Sequence, residues 1–192
     1  MLEDLIPNTT GLQAGSGCIL ISEPTMQDNS FSRTVVYMCF HDAKESVGFI
    51  QNRKANETLD QLVQHLSAPV FPVFIGGPVG LDSLHMIHSV PELIGGDEVK
   101  DGIYWGGDIE SAFEHILLGR IHTGNCKFFI GYSGWGEGQL DAELDMHAWL
   151  VSEANKNLLF ATNPETQWHQ AIGALGKRFS PLLNIPLRPE LN

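Results

Sequence analysis

The chain has 192 residues, enough for one domain that buries about 70% of the surface its unfolded form would expose. Eleven Lys and Arg against twenty-three Asp and Glu give a formal charge of −12, which argues against direct nucleic-acid binding, because neutralising several phosphates needs a concentrated basic face. The densest basic spots, Arg53-Lys54 and Lys177-Arg178, are too small for that footprint.

Three cysteines, Cys18, Cys39 and Cys126, are odd in number, widely spaced and set in apolar runs, which predicts buried thiols in a reducing compartment. Residues 1–7 carry acidic groups where a signal peptide needs basic ones, and no apolar run approaches the ~18 residues that cross a membrane. A cytoplasmic protein with no membrane partner is the expectation.

Apolar or alternating runs predict strands over 18–22, 34–41, 47–52, 70–75, 84–88, 103–105 and 127–132. Leu59, Leu62, Val63 and Leu66 recur at helical spacing, and Thr58 with Gln61 offers a capping box. Asp108 is placed to cap a helix whose inner face is Ile109, Ala112, Phe113, Ile116 and Leu117, ending at Gly119. A glycine-rich turn over 131–138 leads into a third expected helix, with Leu140, Leu144, Ala148 and Val151 on one stripe. A fourth starts at Asn163-Pro164 and carries Trp168, Ala171, Ile172 and Leu175 as far as Gly176. Pro181, Pro186 and Pro189 predict an extended tail over 180–192.

Strands crowd the first two thirds and helices follow, which argues for an α+β fold with a mixed sheet. No repeat or low-complexity linker divides residues 1–192, so a single domain is expected, with its core at about 12–179.

The chemistry of the glycine-rich segment is limited. Gln139 stands where a dinucleotide fingerprint has its third glycine, and Glu137 and Asp141 would repel phosphate. Gly131-Tyr132-Ser133-Gly134 approaches a nucleophile elbow, with His147 or His169 as base and Asp141 or Asp145 as orienting acid, but Trp135 replaces the final glycine. A serine bonding its own backbone in a turn is the favoured reading of Ser133, and hydrolysis the alternative. His85 and His88, three apart in a strand, point to opposite faces and cannot share a metal ion. Glu143 and His147, four apart, are expected on one helix face as a surface carboxylate beside a partly buried histidine. No metal or cofactor is expected.

Gly76-Gly77, Gly95-Gly96 and Gly106-Gly107 each follow an apolar segment and are expected to end strands. A second possibility places such loops beside Trp135, so that Gly76, Gly77, Gly131, Gly134, Trp135, Gly136 and Gln139 line one binding pocket. Trp135, between two glycines, is expected to be buried, either in the domain core or against another segment's glycine loop, with Gly76-Gly77 the candidate.

Several segments together resemble the YqgE/AlgH family. They are 17–24 with Asp28 and Phe31, 46–52, 76–79, 84–88, and Gly131-Tyr-Ser-Gly-Trp-Gly-Glu-Gly-Gln-Leu140 followed by Glu143 and Trp149. The resemblance spans roughly 12–176, and these segments occur in the family's order. It implies a single-domain α+β protein with a mixed, mainly antiparallel, partly barrel-like sheet and flanking helices. Its AlgH name carries a proposed role in transcriptional regulation, yet this chain has neither a helix-turn-helix pattern nor a basic face. Where the family turn often has alanine this chain has Ser133, which weakens the nucleophile reading, and its proline-rich ending departs from the family's glycine-containing close. These readings converge on a non-catalytic protein that binds a protein or small-molecule partner, with any regulation indirect.

Overall fold

The computed structural model describes residues 9–63, 71–160 and 163–186. Its strands are β1 (Cys18–Ser22), β2 (Val35–His41), β3 (Ser46–Ile50), β4 (Lys54–Thr58), β5 (Pro72–Ile75), β6 (Val79–His88), β7 (Asp97–Lys100), β8 (Ile103–Trp105), β9 (Cys126–Trp135) and β10 (Trp149–Glu153). The helices are α1 (Leu59–Leu62), α2 (Pro91–Ile94), α3 (Ile109–Leu117), α4 (Gln139–Asp145), α5 (Lys156–Leu159) and α6 (Pro164–Ala174). A 3-10 helix, Lys177–Asn184, follows.

One connected sheet runs β10-β1-β2-β3-β9-β6-β8-β7, antiparallel throughout, and curls into a partial barrel. Strand β5 adds the parallel element by pairing with β9, and β4 pairs with β5. The fold is therefore a single α+β domain with a mixed, mainly antiparallel sheet.

Strands β1 to β3 are mostly apolar because most of their residues are covered on both faces. Side chains alternate across the pleat, so Ile19, Ile21, Val35, Tyr37 and Phe49 enter a core closed by Leu159, Trp168, Ile172 and Phe179. Leu20, Val36, Met38 and Ile50 meet Trp135, Leu140 and Trp149 on the other side. A third core packs Ala112, Phe113 and Ile116 of α3 against Val73, Met86 and Phe128.

The center of the sheet is β9. Its first half lies between β5 (Val73↔Phe128) and β6 (Met86↔Phe128), and its second half pairs with β3 (Gly48↔Ser133, Ser46↔Trp135). The exchange of neighbours falls at Gly131, whose φ of 64° lies in the left-handed region. A Cβ on Gly76 would collide with the Gly131 carbonyl, and one on Gly77 with the Tyr132 backbone, so glycine is required where β5 gives way to β3. Gly76 ties the junction together: its N–H donates to Ile130 O at 2.8 Å, and its carbonyl accepts from Ile50 N at 2.8 Å.

The segment from Gly131 to Trp135 is strand, and the turn begins only at Gly136, because pairing with β3 supplies partners for its backbone. The third helix stops at Asp145. His147 takes a φ of 58° that breaks it, and 149–153 form β10 against β1, because an edge strand of β-prone residues finds its ladder there. Ala148 and Val151 are therefore not on that helix. The first part of the expected extended tail is the 3-10 helix, drawn in by burial of Phe179 and Leu182, while 187–192 lie outside the described residues. Strand β6 begins at Val79, earlier than the expected 84. Gly95 ends α2, not a strand. Leu66 and Val70 lie outside the described residues.

The expected caps at Thr58 with Gln61, at Asp108 and at Asn163 are present. Asp108 accepts from Ser111 N at 3.0 Å and Asn163 from Glu165 N at 3.1 Å.

Candidate functional site

Trp135 ends β9 and Trp149 begins β10, and both are almost completely buried. A buried indole needs an acceptor for its N–H. Both find the same one: Trp135 Nε1 donates to Glu143 Oε2 at 2.9 Å and Trp149 Nε1 to the same oxygen at 2.7 Å. Gln139 Nε2 donates to Oε1 at 3.0 Å, and Gln139 Oε1 accepts from Gly136 N at 3.1 Å, which fixes the exposed turn to the helix. Phe31 stacks on Trp135 at 6.1 Å between centroids and meets Trp149 edge-on at 5.4 Å. Trp135 is therefore inserted in the core, the first of the two expected alternatives, packing on Phe31, Trp149 and Leu140 and not on Gly76-Gly77.

Sequence reasoning missed Glu143 as the hub, reading it as a surface carboxylate paired with His147. His147 lies beyond the end of α4 and is exposed, while Glu143 turns inward. The signal was available. Two tryptophans flanking a short acidic helix bring two donors into a core that needs an oxygen, and Glu143 is within reach of both.

In front of this frame lies an open groove of about 630 Å³ between the segment 9–14 and α4. Ala14, Leu144, Trp149 and Val151 line its apolar part, with Leu12 exposed at its edge. Asp141, Asp145, His41 and His147 supply polar groups. Thr10 Oγ1 donates to Val151 O at 2.6 Å, holding the segment against β10.

The glycines expected to bind divide into two sets. Gly76, Gly77 and Gly131 are occupied in the strand junction, and none of them lines this groove. Gly134 packs beside the Tyr132 ring, whereas Gly136 and Gln139 sit exposed at the start of α4.

The alternative catalytic set does not assemble. Ser133 is fully buried and its Oγ donates to Gly76 O at 2.9 Å, its sole side-chain hydrogen bond among the described residues. His147 borders the groove, and His169 is exposed beside the Trp168 ring. A nucleophile must reach its base within about 2.6–3.2 Å, and Ser133 has only a carbonyl partner. His85 Nε2 lies 2.9 Å from Ser83 Oγ, and His88 Nε2 3.1 Å from Gly106 O. No group of three His, Cys, Asp or Glu side chains among the described residues is arranged to hold a metal ion. No helix among them is long and apolar enough to cross a membrane.

Known proteins resemble this chain in sequence and fold. A UPF0301 protein of Cytophaga hutchinsonii is 39% identical over 178 residues, covering 92% of this chain and 98% of its own length. One from Parabacteroides distasonis is 35% identical over 179 residues, 92% and 90% of the two chains. The solution structure of the AlgH protein from Pseudomonas aeruginosa superposes with a TM-score of 0.67 at 26% identity, covering 91% of this chain and 98% of that one. A crystal structure from Corynebacterium diphtheriae shares the fold, with a TM-score of 0.75 at 16% identity over 91% and 94% of the chains. The AlgH-like family model matches residues 19–180, and with these relatives it establishes that the chain belongs to the AlgH-like family.

Proposed function

We propose that this protein is a non-catalytic cytoplasmic binding protein, and that its working surface is the groove between residues 9–14 and α4. The observation that carries the reading is the groove's lining, where Leu144 and Trp149, the latter fixed by its hydrogen bond to Glu143, stand behind the exposed carboxylates of Asp141 and Asp145, while Trp135 lies outside the lining. A fixed apolar floor with a polar rim is the usual construction of a binding site. Its two exposed carboxylates and the charge of −12 favour a protein segment that presents a basic residue beside an apolar one. Unpaired thiols at Cys18, Cys39 and Cys126 fit a reducing compartment.

Any effect on transcription would pass through such a partner, because a chain this acidic is repelled by DNA over a Debye length of about 8 Å. Titration of the ¹⁵N-labelled protein with peptides carrying Lys or Arg next to Leu or Phe should shift Leu144, His147 and Trp149, while acid-substituted peptides should not. Shifts absent from the groove would refute the reading, and so would a sub-micromolar DNA mobility shift at physiological salt.

A further inference from the structure

Away from the groove, a second cavity of about 150 Å³ opens where the start of β5 meets the start of β9, Phe160 and Pro164. Its inner wall is Phe71, Phe74, Phe160 and Cys126, all buried, and its exposed rim includes Lys54 and Thr123. Lys127 also lines it, with only 4% of its surface exposed. Its Nζ donates to Gln51 O at 2.7 Å and to Leu159 O at 3.2 Å, and lies 4.0 Å from the center of the Phe74 ring.

Those partners suit an ammonium, since two carbonyls accept from it and an aromatic face attracts it. Among the described residues no carboxylate acts on it, and burial alone pushes the amine down to about 7. A buried cation is ordinarily paired, and an unpaired one beside an apolar cavity leaves room for an anion with an apolar body. A cavity of this size accommodates about one benzene ring.

The geometry points to a binding site for a small apolar carboxylate, whose anionic end pairs with the Lys127 ammonium while its hydrocarbon lies among Phe71, Phe74 and Phe160. Lys54 adds a second cation at the rim. Binding the anion requires the charged amine, so the site takes up a proton on binding once the pH exceeds about 7. Among the described residues, the other titratable groups lining the cavity are Lys54 and the Cys126 thiol. Burial raises the thiol, which stays neutral through this range.

Benzoate, ionised throughout, is a suitable probe. Calorimetric titration at pH 6 and pH 8 should show affinity falling about tenfold at the higher pH, from the Lys127 value of about 7. Amide shifts should centre on Cys126, Lys127 and Phe160, and benzamide should not compete. Lys127→Met should abolish the benzoate response while keeping the fold. Lys54→Ala, at an exposed position, should weaken binding severalfold. No benzoate binding at 10 mM, equal affinity at the two pH values, shifts centred elsewhere, or undiminished binding to Lys127→Met would each overturn the assignment. If Lys127→Met fails to fold, the wild-type pH dependence and shift map decide alone.

Discussion

The protein holds one charge half-buried, on Glu143, and one almost fully buried, on Lys127, and it treats them in opposite ways. Glu143 is surrounded by donors, two indoles on one oxygen and an amide on the other, so its carboxylate is saturated and its position fixed. Lys127 rests on two carbonyls and a ring face, with no opposite charge from the described residues and a cavity beside it. A saturated charge organises its surroundings, whereas an uncompensated one remains responsive to proton and ligand. The first arrangement is therefore suited to a frame and the second to a receptor.

Removing the frame should have the largest effect. Trp135→Ala deletes a side chain that is 3% exposed and held by Phe31 and Trp149, and should cost about 3–5 kcal/mol in urea unfolding. A loss below about 1 kcal/mol would mean the frame is not a structural unit.

Glu143→Ala should cost about 2–4 kcal/mol by stranding both indole N–H groups, while Glu143→Gln, which keeps an acceptor, should cost about 1 kcal/mol. Equal losses for the two variants would show that contacts other than the shared hydrogen bonds carry the stability.

At the second charge the expectation reverses. Lys127→Met replaces an uncompensated buried ammonium by an apolar chain of similar volume, so stability at pH 6 should stay within about 1 kcal/mol of the natural chain or exceed it. Burial lowers the amine from its usual 10.5 to about 7, so between those values the unfolded chain binds more protons than the folded one. Stability of the natural chain should therefore rise relative to Lys127→Met from about pH 7 to about 10.5, with the full cost of the buried charge present below about 7. A flat difference across that window would show that the carbonyls and the Phe74 ring offset the burial.

The smallest change in stability belongs to the groove rim. Asp141→Asn with Asp145→Asn, both exposed, should leave unfolding within about 0.5 kcal/mol while weakening any basic peptide severalfold. Undiminished binding would separate the frame from recognition.

Much of the scaffold was legible because it rests on local chemistry. Asn163-Pro164, Asp108 and the Thr58–Gln61 pair mark helix starts through bonds made within a few residues. Strands β4 and β7, with sequences KANET and DEVK, escaped notice because they are polar and mostly exposed, and only their neighbours specify them. Strand β10 was absorbed into a helical stripe, since 140, 144, 148 and 151 match that period and only pairing with β1 overrides it. The Glu143 hub and the Lys127 cavity depend on segments far apart in sequence, so no local pattern announces them.

The position of β9 also has a consequence for the order of assembly. Strands β3, β5 and β6 are synthesised early, but each needs β9 as a neighbour, and β1 waits for β10. Until residues near 135 are available, the newborn chain holds apolar strands with unpaired edges, a state prone to sticking to itself. With contacts this distant in sequence, folding should be slow and should commit late, when β9 enters between its partners. Its arrival at the Gly76–Gly131 crossing completes the backbone pairing of three earlier strands in a single step. Any added side chain at that crossing would therefore delay closure as well as weaken the finished sheet.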